Sequence, residues 1–105
     1  MNHTITIPGG KLVWRDASGG LFEIVDIEVD NNARRCGIGR KLIEKLFAIV
    51  GPGKRVYAIT RASNEVAQQF YEALKFEDVN PLRRFYCDQK GVDAMMYLRY
   101  TDGAV

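Results

Sequence analysis

A change of hydrophobic period constrains this chain more than any other feature. Over residues 21–30, Val25, Ile27 and Val29 alternate with Asp26, Glu28 and Asp30, a period of two that describes a strand with one apolar face. After the polar run Asn31-Asn32-Ala33-Arg34-Arg35 the period becomes helical. Ile38, Leu42, Leu46 and Ile49, with Ile43, Phe47 and Val50 beside them, predict a helix from about residue 37 to 50. Gly51-Pro52-Gly53 stops it. Residues 55–60, which contain Val56-Tyr57-Ala58-Ile59, are short and apolar enough to form a strand buried among neighbours. Such a strand, helix, strand unit is expected to be parallel and right-handed.

The flanking segments add strands. Residues 4–7 and 11–15, joined by Pro8-Gly9-Gly10, with a second turn at residues 16–20, predict an antiparallel meander before the first long strand. Ser63 or Asn64 can cap a second helix running to about Lys75, with Val66, Ala67, Phe70 and Leu74 on its inner face. Residues 76–79, 82–87 and 94–100 look extended, with Asp88-Gln89-Lys90-Gly91 as a hairpin turn. The expected architecture is α/β: one domain over residues 1–105, a mixed sheet flanked by two helices, with no internal repeat and no linker.

Composition excludes several classes of function. No apolar run reaches the roughly 20 residues that span a bilayer, and the polar opening lacks the apolar core of a signal peptide, so a cytoplasmic location is expected. Cys36 and Cys87 form no Cys-x-x-Cys pair and read as reduced thiols. One histidine, His3, cannot make a His-rich metal site, so no metal is expected. A net charge of +2 is too small to announce a nucleic-acid partner.

The loop at residues 34–40 carries the chemistry. A polar loop that leaves a strand and opens a helix presents unpaired N–H groups and the positive end of the helix dipole, which favours an anion. Gly37 and Gly39 remove Cβ atoms from the approach, and Arg34, Arg35 and Arg40 add positive charge. Spacing eliminates two kinds of phosphate loop. A dinucleotide fingerprint needs Gly or Ala where Leu42 stands and an acid near Thr60-Arg61. A triphosphate loop needs more than Gly51-Pro52-Gly53-Lys54-Arg55, which lacks both the spacing and the final Ser or Thr.

The run Arg34-x-x-Gly37-x-Gly39, followed by Asn64-x-x-Ala67-x-x-Phe70-Tyr71-x-x-Leu74-x-Phe76, resembles the GNAT N-acetyltransferase superfamily over residues 22–98. Two departures stand out, Arg35 and Lys75, where family members commonly carry glycine. Members also usually begin with a strand and one or two helices that wall the acceptor site, and this sequence leaves almost no room for them. It therefore resembles a minimal member of the superfamily.

The resemblance implies a transferase acting on acetyl-CoA and a primary amine. By it, the pyrophosphate lies on the amides of Arg35, Cys36, Gly37, Ile38, Gly39 and Arg40. The pantetheine pairs with freed backbone at Ile27, Glu28 and Val29, where a main-chain N–H polarises the thioester carbonyl. Asn64 either contacts the cofactor or only caps its helix. Tyr71 is the general acid, since an unperturbed tyrosine has a pKa of about 10 and stays protonated at neutral pH. Glu23 is a candidate base because it shares strand parity with Leu21, Val25, Ile27 and Val29, where apolar neighbours should raise its pKa; a strand bulge would reverse that parity. Trp14, Phe85, Tyr86, Met95, Met96 and Tyr97 are expected to be core, cleft wall or dimer contact. The acceptor remains open among a lysine, an N-terminal amine, a polyamine and a small antibiotic. An open acceptor side also leaves room for a homodimer or a flat protein substrate. The rival reading is a CoA-binding or protein-interaction module that has kept the fold without turnover.

Overall fold

The computed structural model describes residues 1–30, 37–61, 63–79 and 94–101. Its elements are β1 (Asn2–Ile7), β2 (Gly10–Asp16), β3 (Leu21–Val29), α1 (Ile38–Val50), β4 (Arg55–Arg61), α2 (Glu65–Ala73), β5 (Glu77–Asp78) and β6 (Ala94–Tyr100). Among the described residues the strands make a mixed sheet in the order β1-β2-β3-β4-β6-β5, and the fold is mixed α/β. The expected strand at residues 82–87 and the turn at residues 88–91 lie outside the described residues. Contacts divide the chain into two units, Met1–Val56 with Tyr100–Val105, and Tyr57–Arg99.

In the first unit β1, β2 and β3 form an antiparallel meander. Pro8 and Gly9 make the first turn, and the φ of 93° at Gly9 is what a Pro-Gly turn of type II requires. Gly10 already belongs to β2, where it pairs with Ile7 on one side and Val29 on the other. The β2/β3 register shifts between Val13, opposite Asp26, and Trp14, opposite Ile24. Val25 is therefore the extra residue of a β-bulge, and it is exposed. Directly opposed residues share a face. Ile5, Leu12, Ile27 and Ile24 accordingly lie on one side of the meander, and α1 packs against β1, β2 and β3. Leu42, Ile43 and Leu46 are the buried stripe of that helix, and burying side chains of this size stabilises by about 1.5–3 kcal/mol each. Ile49 departs from the expected stripe and faces solvent.

The stop after α1 is tied down from the far end of the chain. Gly51 N–H donates to the Phe47 carbonyl at 3.0 Å, while the Thr101 hydroxyl donates to the Gly51 carbonyl at 2.7 Å and accepts the Lys54 N–H at 2.8 Å. Thr101 is buried, so valine would preserve its shape and strand the groups it serves. Thr101→Val is expected to lower stability by about 1–2 kcal/mol, read as a smaller urea midpoint at unchanged slope.

In the second unit Asn64 caps α2, its Oδ1 accepting the Ala67 N–H at 3.1 Å. The buried face of α2 is Tyr71, continued by Leu74 and Phe76 beyond the helix, whereas Val66, expected inside, is 75% exposed. The helix ends in a Schellman turn: Lys75 N–H donates to Glu72 O and Phe76 N–H to Tyr71 O, both at 3.0 Å. Lys75 sits at a left-handed φ of 70°, a conformation that glycine adopts without a Cβ clash. Lys75→Gly is expected to raise stability by about 0.5–1 kcal/mol, because relief of left-handed strain exceeds the added chain entropy of glycine. Unchanged or reduced stability in chemical denaturation would refute that account. Only residues 77 and 78 of the expected strand at 76–79 are extended; they pair antiparallel with Leu98 and Tyr97 of β6.

Candidate active site

The first turn of α1 is built to receive an anion. Gly37 is its N-cap with φ 74° and ψ 17°, no side chain caps the helix, and no acidic residue lies in the first turn. The amides of Ile38, Gly39 and Arg40 precede the first intrahelical bond, which Lys41 N–H makes to Gly37 O at 3.0 Å. Arg40 and Lys41, both exposed, add positive charge where the helix dipole is already positive. Among the described residues no side chain caps this N-terminus, and its first turn carries cations and no carboxylate. A phosphate-like ligand fits these residues. Open space surrounds the position of a Cβ on Gly37, so its glycine is required by the left-handed φ and not by crowding. Arg34, Arg35 and Cys36 of the expected cradle lie outside the described residues.

What seats this turn beside the end of β3 is Gly10, expected from the sequence only as part of the Pro8-Gly9-Gly10 turn. A Cβ added there would stand 2.8 Å from the Glu28 carbonyl oxygen, 2.8 Å from Ile38 Cγ2 and 3.1 Å from Leu42 Cδ1. The missing side chain lets α1 lie directly on the Gly10–Val29 pair. Ile27, Glu28 and Val29 are thereby held next to the helix N-terminus within one unit.

The expectation for Glu23 is corrected. The bulge at Val25 reverses strand parity, so Glu23 shares its face with Asp26 and Glu28 and stands opposite Arg15. Arg15 Nε donates to Glu23 Oε1 at 2.5 Å. Lys11 pairs likewise with Glu28 directly across the ladder, at 3.6 Å. The meander face away from Leu12 and Ile24 is therefore lined by cross-strand ion pairs and by the exposed Thr4 and Thr6. Water suits such a face. Glu23 therefore faces a cation across the ladder and not the apolar side of the strand.

Tyr71 is placed firmly. Its ring is 4% exposed and lies in an aromatic box, with ring centroids 5.1 Å from Phe70, 5.2 Å from Phe76 and 5.9 Å from Tyr97. Tyr97, expected as core or wall, is fully buried, and its hydroxyl donates to Glu72 Oε2 at 3.1 Å. Burial, then the Glu72 hydrogen bond and the nearby Glu72 and Asp78 carboxylates, push the Tyr97 hydroxyl up to about 12. Asn64 and Tyr71 lie in the second unit, Glu23, residues 27–29 and residues 37–40 in the first.

Three similarities bear on these features. An N-alpha-acetyltransferase of Sulfurisphaera tokodaii is 37% identical over 76 residues, 70% of this chain and 44% of that protein. The crystal structure of the ribosomal-protein-S18-alanine N-acetyltransferase from Escherichia coli matches with a TM-score of 0.69 at 26% identity, covering 92% of this chain and 64% of that one. Arabidopsis thaliana NAA60 in complex with acetyl-CoA matches in fold with a TM-score of 0.67 at 24% identity, over 87% of this chain and 64% of that one. The chain spans less than half the length of the curated relatives it matches. Residues 7–76, which span β2, β3, α1, β4 and α2 and include Asn64 and Tyr71, match the model of the acetyltransferase (GNAT) family, and the chain belongs to that family.

Proposed function

We propose that this chain moves an acetyl group from acetyl-CoA to a primary amine by direct attack. The observation that carries this reading is the uncapped, acid-free, cationic N-terminus of α1, seated by Gly10 beside residues 27–29. The amides of Ile38, Gly39 and Arg40 bind the pyrophosphate, together with Arg34, Arg35 and Cys36. Backbone at Ile27, Glu28 and Val29 orients the pantetheine. The amine nitrogen attacks the thioester carbonyl carbon, the C–S bond breaks, and Tyr71 gives its hydroxyl proton to the departing sulfur. Holding the two reactants in line supplies much of the acceleration. Asn64 acts through its cap, whose Oδ1 is committed to Ala67.

Arg15 opposite Glu23 removes the reason to assign that carboxylate as base, and the amine loses its proton to water. Glu23→Gln is accordingly expected to keep kcat within about three-fold of wild type across pH 7–9, where loss of a true general base would bring a drop of about 100-fold or more. A steep drop that high pH restores would return Glu23 to the mechanism.

The reading is tested by thiol release from acetyl-CoA over a panel of primary amines, N-terminal peptides and lysine peptides, alongside calorimetric titration with the cofactor. Turnover with at least one amine supports it. Binding without transfer to any acceptor would make the chain a CoA-binding module, and absence of binding would sink both readings.

A further inference from the structure

We propose that Tyr97 is the positioning residue for Tyr71, holding the acid in place through a two-point grip on α2. This rests on the reading of Tyr71 as proton donor. Tyr97 comes from β6, and it touches two consecutive residues of the helix. Its ring stacks on Tyr71, with centroids 5.9 Å apart and planes inclined by 23°, while its hydroxyl reaches Glu72 Oε2 at 3.1 Å. Consecutive side chains leave an α-helix about 100° apart, so a group that contacts both fixes the rotation of the helix about its axis. A contact with either alone would leave that rotation free.

The main chain of the same two residues is held as well. The carbonyls of Tyr71 and Glu72 accept the Phe76 and Lys75 N–H groups in the Schellman turn, and Arg99, two residues beyond Tyr97 on β6, donates from Nη1 to the Leu74 carbonyl at 2.7 Å. Phe76 meets the Tyr71 ring edge to face, with centroids 5.2 Å apart. The Tyr71 ring thus has several packing partners, and Tyr97 also binds Glu72, the next residue of the helix. Tyr97 is fully buried and has no contact to offer a substrate, so its part in catalysis is exerted through Tyr71.

Position matters because proton transfer to a departing sulfur requires the hydroxyl within hydrogen-bond reach, and a misplacement of about 1 Å can cost up to about 100-fold in rate. Tyr97→Phe keeps the ring and removes only the hydroxyl. Its expected result is a fall in kcat of about 10-fold with KM for acetyl-CoA within about two-fold of wild type. Glu72 is exposed, so variants there leave the core intact. Glu72→Ala is expected to reproduce the fall, and Glu72→Gln, which still offers an oxygen to the Tyr97 hydroxyl, to retain wild-type kcat.

The deciding measurement is a double-mutant cycle in the full chain. In a Tyr71→Phe background, Tyr97→Phe is expected to bring no further loss of kcat, because the group it positions is gone. An equal loss in both backgrounds would make Tyr97 merely structural and overturn the proposal, as would unchanged kcat in Tyr97→Phe and Glu72→Ala. If Tyr71→Phe itself left kcat unchanged, the reading of Tyr71 as acid would fail first and the proposal with it.

Discussion

Tyr71→Phe is expected to lower kcat by about 100-fold or more while KM for acetyl-CoA stays within about two-fold, the loss a positioned general acid brings. The change removes one oxygen from a ring that is almost wholly buried among Phe70, Phe76 and Tyr97, so packing and fold survive it. Cofactor binding is assigned to α1 and the end of β3, elements that carry no part of this ring. The split between kcat and KM is therefore the signature to look for. Equal kcat for wild type and variant would remove Tyr71 from the mechanism, and a large rise in KM with constant kcat would recast it as a binding residue.

The second large effect is expected at Gly10. A methyl group there would meet the Glu28 carbonyl oxygen at 2.8 Å, and backbone in a paired strand cannot swing aside as a flexible side chain can. It would also meet Ile38 Cγ2 at 2.8 Å, so α1 must lift from the sheet at its N-terminal turn. Gly10→Ala should cost about 2–3 kcal/mol, the range for an overpacked core, visible as a lower denaturation midpoint. It should also raise KM for acetyl-CoA, because the amides of Ile38, Gly39 and Arg40 move with the helix. Wild-type stability and KM in this variant would show that the close approach relaxes freely and that Gly10 positions nothing.

The face of the meander away from Leu12 carries the Arg15–Glu23 and Lys11–Glu28 pairs on either side of Val13. The exposed Lys11–Glu28 pair adds little stability, about 0–1 kcal/mol, but such pairs make the face compatible with water.

Much of the fold was legible in order and in kind. The period of two over residues 21–30 became β3, the helical stripe became α1, the Asn64 signal became a cap with its hydrogen bond in place, and Gly51 ended α1 as its spacing implied. These features depend on residues a few positions apart, and local backbone preference decides them. Part of the site was legible for the same reason: Gly37, Ile38, Gly39 and Arg40 lie at a helix start whatever the rest of the chain does.

The face of Glu23 was not legible, because the bulge that turns it toward Arg15 arises from the pairing of β3 with β2, and a strand read alone carries no register. Nor was the role of Gly10, which follows from how closely α1 approaches a strand laid down some 28 residues earlier in the chain, from Gly10 to Ile38. The Thr101 clasp spans 50 residues and the Tyr97 grip on Glu72 spans 25. The amino-acid sequence by itself determined the elements, their order and the glycine-led start of α1, since each is set by neighbours along the chain. Only the tertiary structure decided which side chains stand opposite one another, because cross-strand register and the close approach of helix to sheet are settled when distant segments compete for the same core.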